Sequence, residues 1–135
     1  MTMPLLFGFG IGLGAIALIW LIDMHRSRAV MPVVLMAIAS FYVVFAVEAG
    51  TDIMRQLLIA AAFGLIAVLA FRLNLWIAVV GLALHGLYDV IAPTIDAPAP
   101  EWWAPLCLAF DGVFAGALAI WLWRRLVASA PAEKS

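Results

Sequence analysis

Two pairs of side chains stand out for their types and spacing: His85 with Asp89, and Cys107 with Asp111. Each pair is spaced i,i+4, so on an α-helix its two members share one face. An imidazole beside carboxylates suits proton transfer, the histidine exchanging a proton with a substrate while an acid holds or charges the ring. His85, Asp111 and Asp89 are therefore the candidate acid–base residues. The same three suit a divalent metal such as Zn, Mn or Fe, although neither H-E-x-x-H nor E-x-x-H occurs in the chain. Glu48, Tyr88, Trp102, Trp103 and Cys107 are candidates for holding a substrate. Each also has a plainer reading. Cys107 suits a small apolar filler, Tyr88 and the tryptophans suit anchors at a membrane interface, and Glu48 and Asp89 suit solvated acids or partners of Arg55.

These groups fall in or at the ends of long apolar runs. Of the 135 residues, 68% are hydrophobic and only 11% charged, against about a quarter charged in ordinary soluble domains. The expectation is one all-α domain over residues 1–135, a polytopic helical bundle embedded in the lipid bilayer. Five spans are read at about 5–22, 32–48, 54–71, 75–92 and 104–124, each close to the ~20 residues that cross the hydrocarbon core. Pro32 suits a first helical turn, Arg72-Leu73-Asn74 a tight turn, and Pro93 to Pro100 a loop. The first span differs from a signal peptide in that no Lys or Arg precedes it.

Net charge of −1 leaves no basic footprint for nucleic acid. A single cysteine excludes an intrachain disulfide. The run Gly8 to Gly14 lies inside an apolar helix, not between a strand and a helix, so it is no phosphate cradle. Gly8-x-x-x-Gly12, Gly10-x-x-x-Gly14 and Gly112-x-x-x-Gly116 suit close helix packing, within one chain or in a homo-oligomer. A bis-histidine haem within one chain is disfavoured, because the only other histidine, His25, falls at the opposite surface.

Charge placement predicts orientation. Arg26, Arg28, Arg72, Arg124, Arg125 and Lys134 share one side of a five-span chain and only Arg55 lies on the other, which by the positive-inside rule puts the N-terminus outside and the C-terminus in the cytoplasm. A bacterial inner membrane is the expected location. His85 then lies seven residues below the outer end of the fourth span and Asp111 seven residues into the fifth, each roughly 10 Å deep at about 1.5 Å per residue. Matched depth on adjacent spans predicts that the two meet in the outer half of the bilayer.

The segments His85-Gly-Leu-Tyr88-Asp89-Val90 and Cys107-x-x-x-Asp111, separated by a Pro-rich loop, resemble a small bacterial multi-span membrane-protein family classed as a domain of unknown function. Its members carry H-x-x-[WY]-D-V followed by C-x-x-x-D, and the likeness covers about a third of the chain. Ala92-Pro93 stands where the family pattern implies a further histidine, a departure that bears on any shared metal chemistry. The resemblance implies a site at these positions and no particular reaction.

Three function classes remain. Intramembrane ionisable residues mark functional sites by default. The first class is an acid–base enzyme on a lipidic or isoprenoid substrate that enters from the outer leaflet. The second is a proton- or cation-coupled small-molecule transporter, and the third a structural or assembly subunit of a membrane complex. Orientation is testable directly. In a Cys107→Ser background, single cysteines at Ser27 and Ala130 should be shielded from an impermeant thiol reagent in intact cells, and one at Ala97 should label. Labelling at Ser27 with protection at Ala97 would reverse the topology.

Overall fold

A computed structural model describes residues 2–130; Lys134, counted above in the charge bias, lies outside them. Five helices account for nearly all of the described chain: α1 Thr2–Leu21, α2 Val30–Ala49, α3 Ile53–Arg72, α4 Trp76–Ile91 and α5 Trp103–Ser129. Short 3-10 turns at Met24–Arg26 and Ala92–Ile95 complete the regular structure. Each of the five spans is long and apolar enough to cross a membrane, the fourth when its 3-10 extension to Ile95 is included.

The connections are built by residues that tolerate a left-handed backbone. Asp23, Asp52 and Asp96 take φ of 58°, 61° and 51°, and Gly50 takes 66°. Short polar side chains and glycine are the types that adopt this conformation at least cost. At Gly50 the turn closes as the amides of Gly50 and Thr51 donate to the carbonyls of Val47 and Ala46, satisfying acceptors that the end of α2 would otherwise leave open. Asn74 accepts a hydrogen bond from the Trp76 amide at 2.9 Å and so starts α4.

Two boundaries differ from those read in the sequence. The regular helix of the fourth span stops at Ile91 and tightens into a 3-10 turn around Pro93, since proline has no amide to continue an α-helical ladder. The fifth helix passes Arg124-Arg125 and continues to Ser129. A pair of arginines ends an apolar run without ending a helix, because long basic side chains keep their heads outside while their stems pack. Arg125 does so 4.6 Å above the Trp121 ring.

In space α1 packs on α5, α5 on α4, and α4 on α2 and α3, which also pack on each other. Each inner helix buries one stripe. On α4 it is Ala78, Gly81, Leu82, His85, Gly86 and Asp89. On α5 it is Trp103, Ala104, Cys107, Asp111, Phe114 and Leu118. The outer faces are apolar and bare: Leu6, Phe7, Leu58, Leu65, Leu87 and Ile120 are among the many exposed large hydrophobics. In water such a surface drives association, whereas hydrocarbon solvates it.

Glycines allow the closest approaches. A Cβ on Gly8 would run into the Leu106 main-chain carbonyl, and one on Gly12 into the Val113 side chain at 3.0 Å. Gly8-x-x-x-Gly12 is therefore used within the chain, to seat α1 on α5. Gly10, Gly14, Gly112 and Gly116 face open space. Gly8→Ala should destabilise the α1–α5 contact by about 1–3 kcal/mol, the usual cost of overpacking, while Gly10→Ala should be neutral or slightly stabilising through helix propensity. Reversible unfolding in mixed micelles compares the two, and equal effects would contradict the seating.

Candidate functional site

The stripes of α4 and α5 face each other, and their polar members coincide. His85 Nδ1 lies 2.8 Å from Asp111 Oδ2 and 3.5 Å from Asp89 Oδ2. The Cys107 sulfur is 4.0 Å from both His85 Nδ1 and Asp111 Oδ2. One donor atom from each of the four residues falls within 4.8 Å of every other. None of the four residues exceeds 2% exposure. Gly86 lets the helices close at this level: a Cβ there would meet Leu108 at 3.2 Å and the Asp111 side chain at 3.6 Å.

The third wall comes from α2 and α3. Tyr42 donates its hydroxyl hydrogen to Asp89 Oδ1 at 2.7 Å. Phe63 stands edge-on to the His85 ring, 5.0 Å between centroids. Beyond Tyr42, towards the end of the bundle that carries the α2–α3 and α4–α5 connections, a cavity of about 260 Å³ is lined by Tyr42, Pro93, Asp96, Pro100, Glu101 and Ala104. Tyr42 thus lines the cavity and hydrogen-bonds the buried Asp89.

A second polar chain runs alongside. Tyr88 donates to Gln56 Oε1 at 2.8 Å, Gln56 donates to Asp52 Oδ2 at 2.8 Å, and Arg55 pairs with Asp52 at 2.6 Å. The Arg55 guanidinium also donates to the Ile95 carbonyl at 2.9 Å, clasping the start of α3 to the α4–α5 loop. The hydrogen bond from Gln56, more than the Arg55 guanidinium, holds the Asp52 carboxyl below the usual carboxylate range. The clasp is therefore complete at neutral pH and weakens only as pH falls through that lowered value. The two chains meet where the Tyr42 and Tyr88 rings pack at 4.9 Å.

Three buried atoms of the cluster make no hydrogen bond: His85 Nε2, Asp89 Oδ2 and Asp111 Oδ1. Buried polar atoms are nearly always partnered, and exceptions concentrate where chemistry or an ion is involved.

Known proteins add no further guide, since no family model, no curated protein and no solved structure matches the chain. The chemistry is therefore read from the centre itself.

Of the residues singled out in the sequence, the structure brings together His85, Asp89, Cys107 and Asp111. Tyr88 stands one ring away, in the second chain. Asp89 is fully buried, whereas its place near the helix end had allowed a solvated acid. Glu48 stands apart from this cluster: it is exposed and makes no hydrogen bond or ion pair among the described residues. The buried stripe of α2 runs through Leu35, Ile38, Ala39, Tyr42 and Ala46, and two residues beyond Ala46 is about 200° round a helix of 3.6 residues per turn. Arg55, offered above as a partner for Glu48 or Asp89, pairs with Asp52. Trp102 is half exposed, and Trp103 packs against Phe41 and Phe45 of α2 at 4.7 and 5.1 Å, not against the cluster.

Tyr42 and Gln56 were missed. Both carried a signal: each is a hydrogen-bonding side chain inside an apolar span, and such groups must find partners there. Asp111→Asn should lower stability in detergent by about 3–5 kcal/mol, the cost of breaking one side of a buried charged pair. Glu48→Gln should stay within about 0.5 kcal/mol of the parent, as surface changes do. Thermal unfolding of the two variants side by side decides whether the buried and exposed acids differ as their placement requires.

Proposed function

We propose that this chain is an integral membrane enzyme that moves a proton on a lipidic or isoprenoid substrate, from a centre opening to the outer face of a bacterial inner membrane. The observation that carries the reading is the placement of Tyr42, which joins an open cavity to a buried Asp89–His85–Asp111 constellation. A substrate head in the cavity meets Tyr42 first. As the Tyr42 oxygen takes a proton from the substrate, its own proton moves to Asp89 Oδ1, and His85 between the two carboxylates balances the change in charge. The reverse sequence returns a proton to a different substrate atom. The net result is an isomerisation, which requires no other reactant.

The acidic rim of Asp96 and Glu101 favours an uncharged or cationic head over a phosphate. Apolar outer faces on α2, α4 and α5 leave room for a chain in the lipid. Arginines at residues 26, 28, 72, 124 and 125 all lie at the end remote from the cavity, which supports an outward-facing mouth. A transporter is less well supported. Towards the remote end the buried stripes continue as Leu82 and Ala78 on α4 and as Phe114 and Leu118 on α5, with no polar group to extend a relay. A purely structural clamp is less well supported too, because it would leave no reason for the unpartnered buried oxygens.

Deuterium incorporation tests the reading across a whole lipid mixture, whichever component is the substrate. Purified protein incubated in D2O with a bacterial membrane-lipid extract should introduce deuterium into one lipid class, read by mass spectrometry. Tyr42→Phe and His85→Gln should abolish the uptake while the proteins remain folded. Absence of uptake with the parent protein, or equal uptake by the folded variants, would overturn the proposal.

A further inference from the structure

We propose that His85, Asp89, Cys107 and Asp111 hold a divalent cation of the zinc class inside the membrane. The inference rests on the reading of this cluster as a working site and names the resident of that site.

One imidazole nitrogen, one sulfur and two carboxylate oxygens form a mixed N, S, O donor set. Such a set suits Zn(II) and its tetrahedral relatives, and poorly suits Mg or Ca, which prefer oxygen alone. The spacing of the donors is close to what is needed. Ligand bonds of about 2.0–2.3 Å in a tetrahedron separate donors by roughly 3.3–3.7 Å. Here the donor atoms lie within 4.8 Å of one another, with 2.8 Å between His85 Nδ1 and Asp111 Oδ2, 3.5 Å from that nitrogen to Asp89 Oδ2 and 4.0 Å from it to the sulfur.

Charge points the same way. Two carboxylates lie together in a space closed to water, with one histidine between them. With Cys107 ligating as a thiolate, a neutral histidine and two carboxylates complete a donor set of three negative charges, of which one dication offsets two. Isolated charge at this depth is costly. Asp89 Oδ2 and Asp111 Oδ1, both buried, make no hydrogen bond, so each has a lone pair to offer.

The surroundings fit as well. Ligating carboxylates and imidazoles are normally fixed by an outer partner, and Tyr42 fixes Asp89 through the oxygen that does not face His85. The route in passes Asp96 and Glu101, whose charge attracts cations to the cavity mouth. On binding, the Nδ1 proton and the Cys107 thiol proton are released to solvent, Asp111 changes from hydrogen-bond acceptor to ligand, and Tyr42 keeps its hydrogen bond to Asp89 Oδ1 on the cavity side.

The test uses the full chain in detergent, stripped with chelator, loaded with Zn2+ or Co2+ and freed of excess. Elemental analysis should find metal in proportion to protein. The Co2+ form should show tetrahedral ligand-field bands and a thiolate-to-Co(II) charge-transfer band. Asp89→Asn and Cys107→Ala should each weaken Co2+ binding by about 100-fold or more, since losing a ligand costs at least as much as losing an outer partner, about 10–100-fold. Cys107→Ala should also erase the charge-transfer band. It should fold normally, because the thiol has no partner nearer than 4.0 Å. Glu48→Gln should bind Co2+ like the parent. No metal retained by the folded parent protein, or a Co2+ spectrum unchanged by Cys107→Ala, would overturn the inference. Deuterium uptake separates the two proposals: uptake by a folded parent protein that retains no metal after loading sinks the cation and keeps the proton chemistry, and retained metal without uptake does the reverse.

Discussion

Inside an apolar bundle an imidazole and a carboxylate hold each other with a strength that neither would show in water, and His85 and Asp111 meet there at 2.8 Å. Much of the bundle is arranged around that contact. It ties α4 to α5 at a level where the backbones are close because Gly86 has no side chain. It draws Asp89 towards the same nitrogen, and Asp89 in turn requires a donor from α2, which Tyr42 supplies. Three helices are thus placed in register by one histidine. Apolar packing alone selects helix faces in a membrane but specifies rotation and height weakly, since hydrocarbon solvates a leucine as well as another leucine does.

The spans and the central pair were legible in the sequence for simple reasons. Length and apolarity announce a membrane helix, and equal distances from the helix ends put His85 opposite Asp111. The partners from α2 and α3 were legible only as polar side chains in need of a partner, not as members of this centre. Tyr42 sits in an apolar run where a tyrosine reads as packing, and only the rotation of α2 shows that its hydroxyl points at Asp89. Gln56 depends on the left-handed turn at Asp52, which lowers the start of α3 to the level of Tyr88. Glu48 lies off the buried stripe of α2: nearness in height is visible in a sequence, but rotation about the helix axis is not unless the stripe is traced residue by residue.

The two polar chains divide the work of the bundle end. One, through Tyr42, runs from the cavity to the buried acids. The other, from Tyr88 through Gln56 and Asp52 to Arg55, ends on the Ile95 carbonyl and holds the Pro-rich loop over that cavity. They share only an aromatic contact between Tyr42 and Tyr88.

The pairing of α1 with α5 has a bearing on biogenesis. Helix α1 has its main seat on α5, so it must remain in lipid while the roughly 80 residues between them are made. In that interval α2, α3 and α4 can associate, yet His85 and Asp89 have no Asp111 to face. Until α5 inserts, the nascent protein carries an incompletely matched polar patch of the kind that membrane quality-control proteases can recognise. Arrival of α5 closes the patch and docks α1, so that assembly of the centre and the α1–α5 contact become a single event.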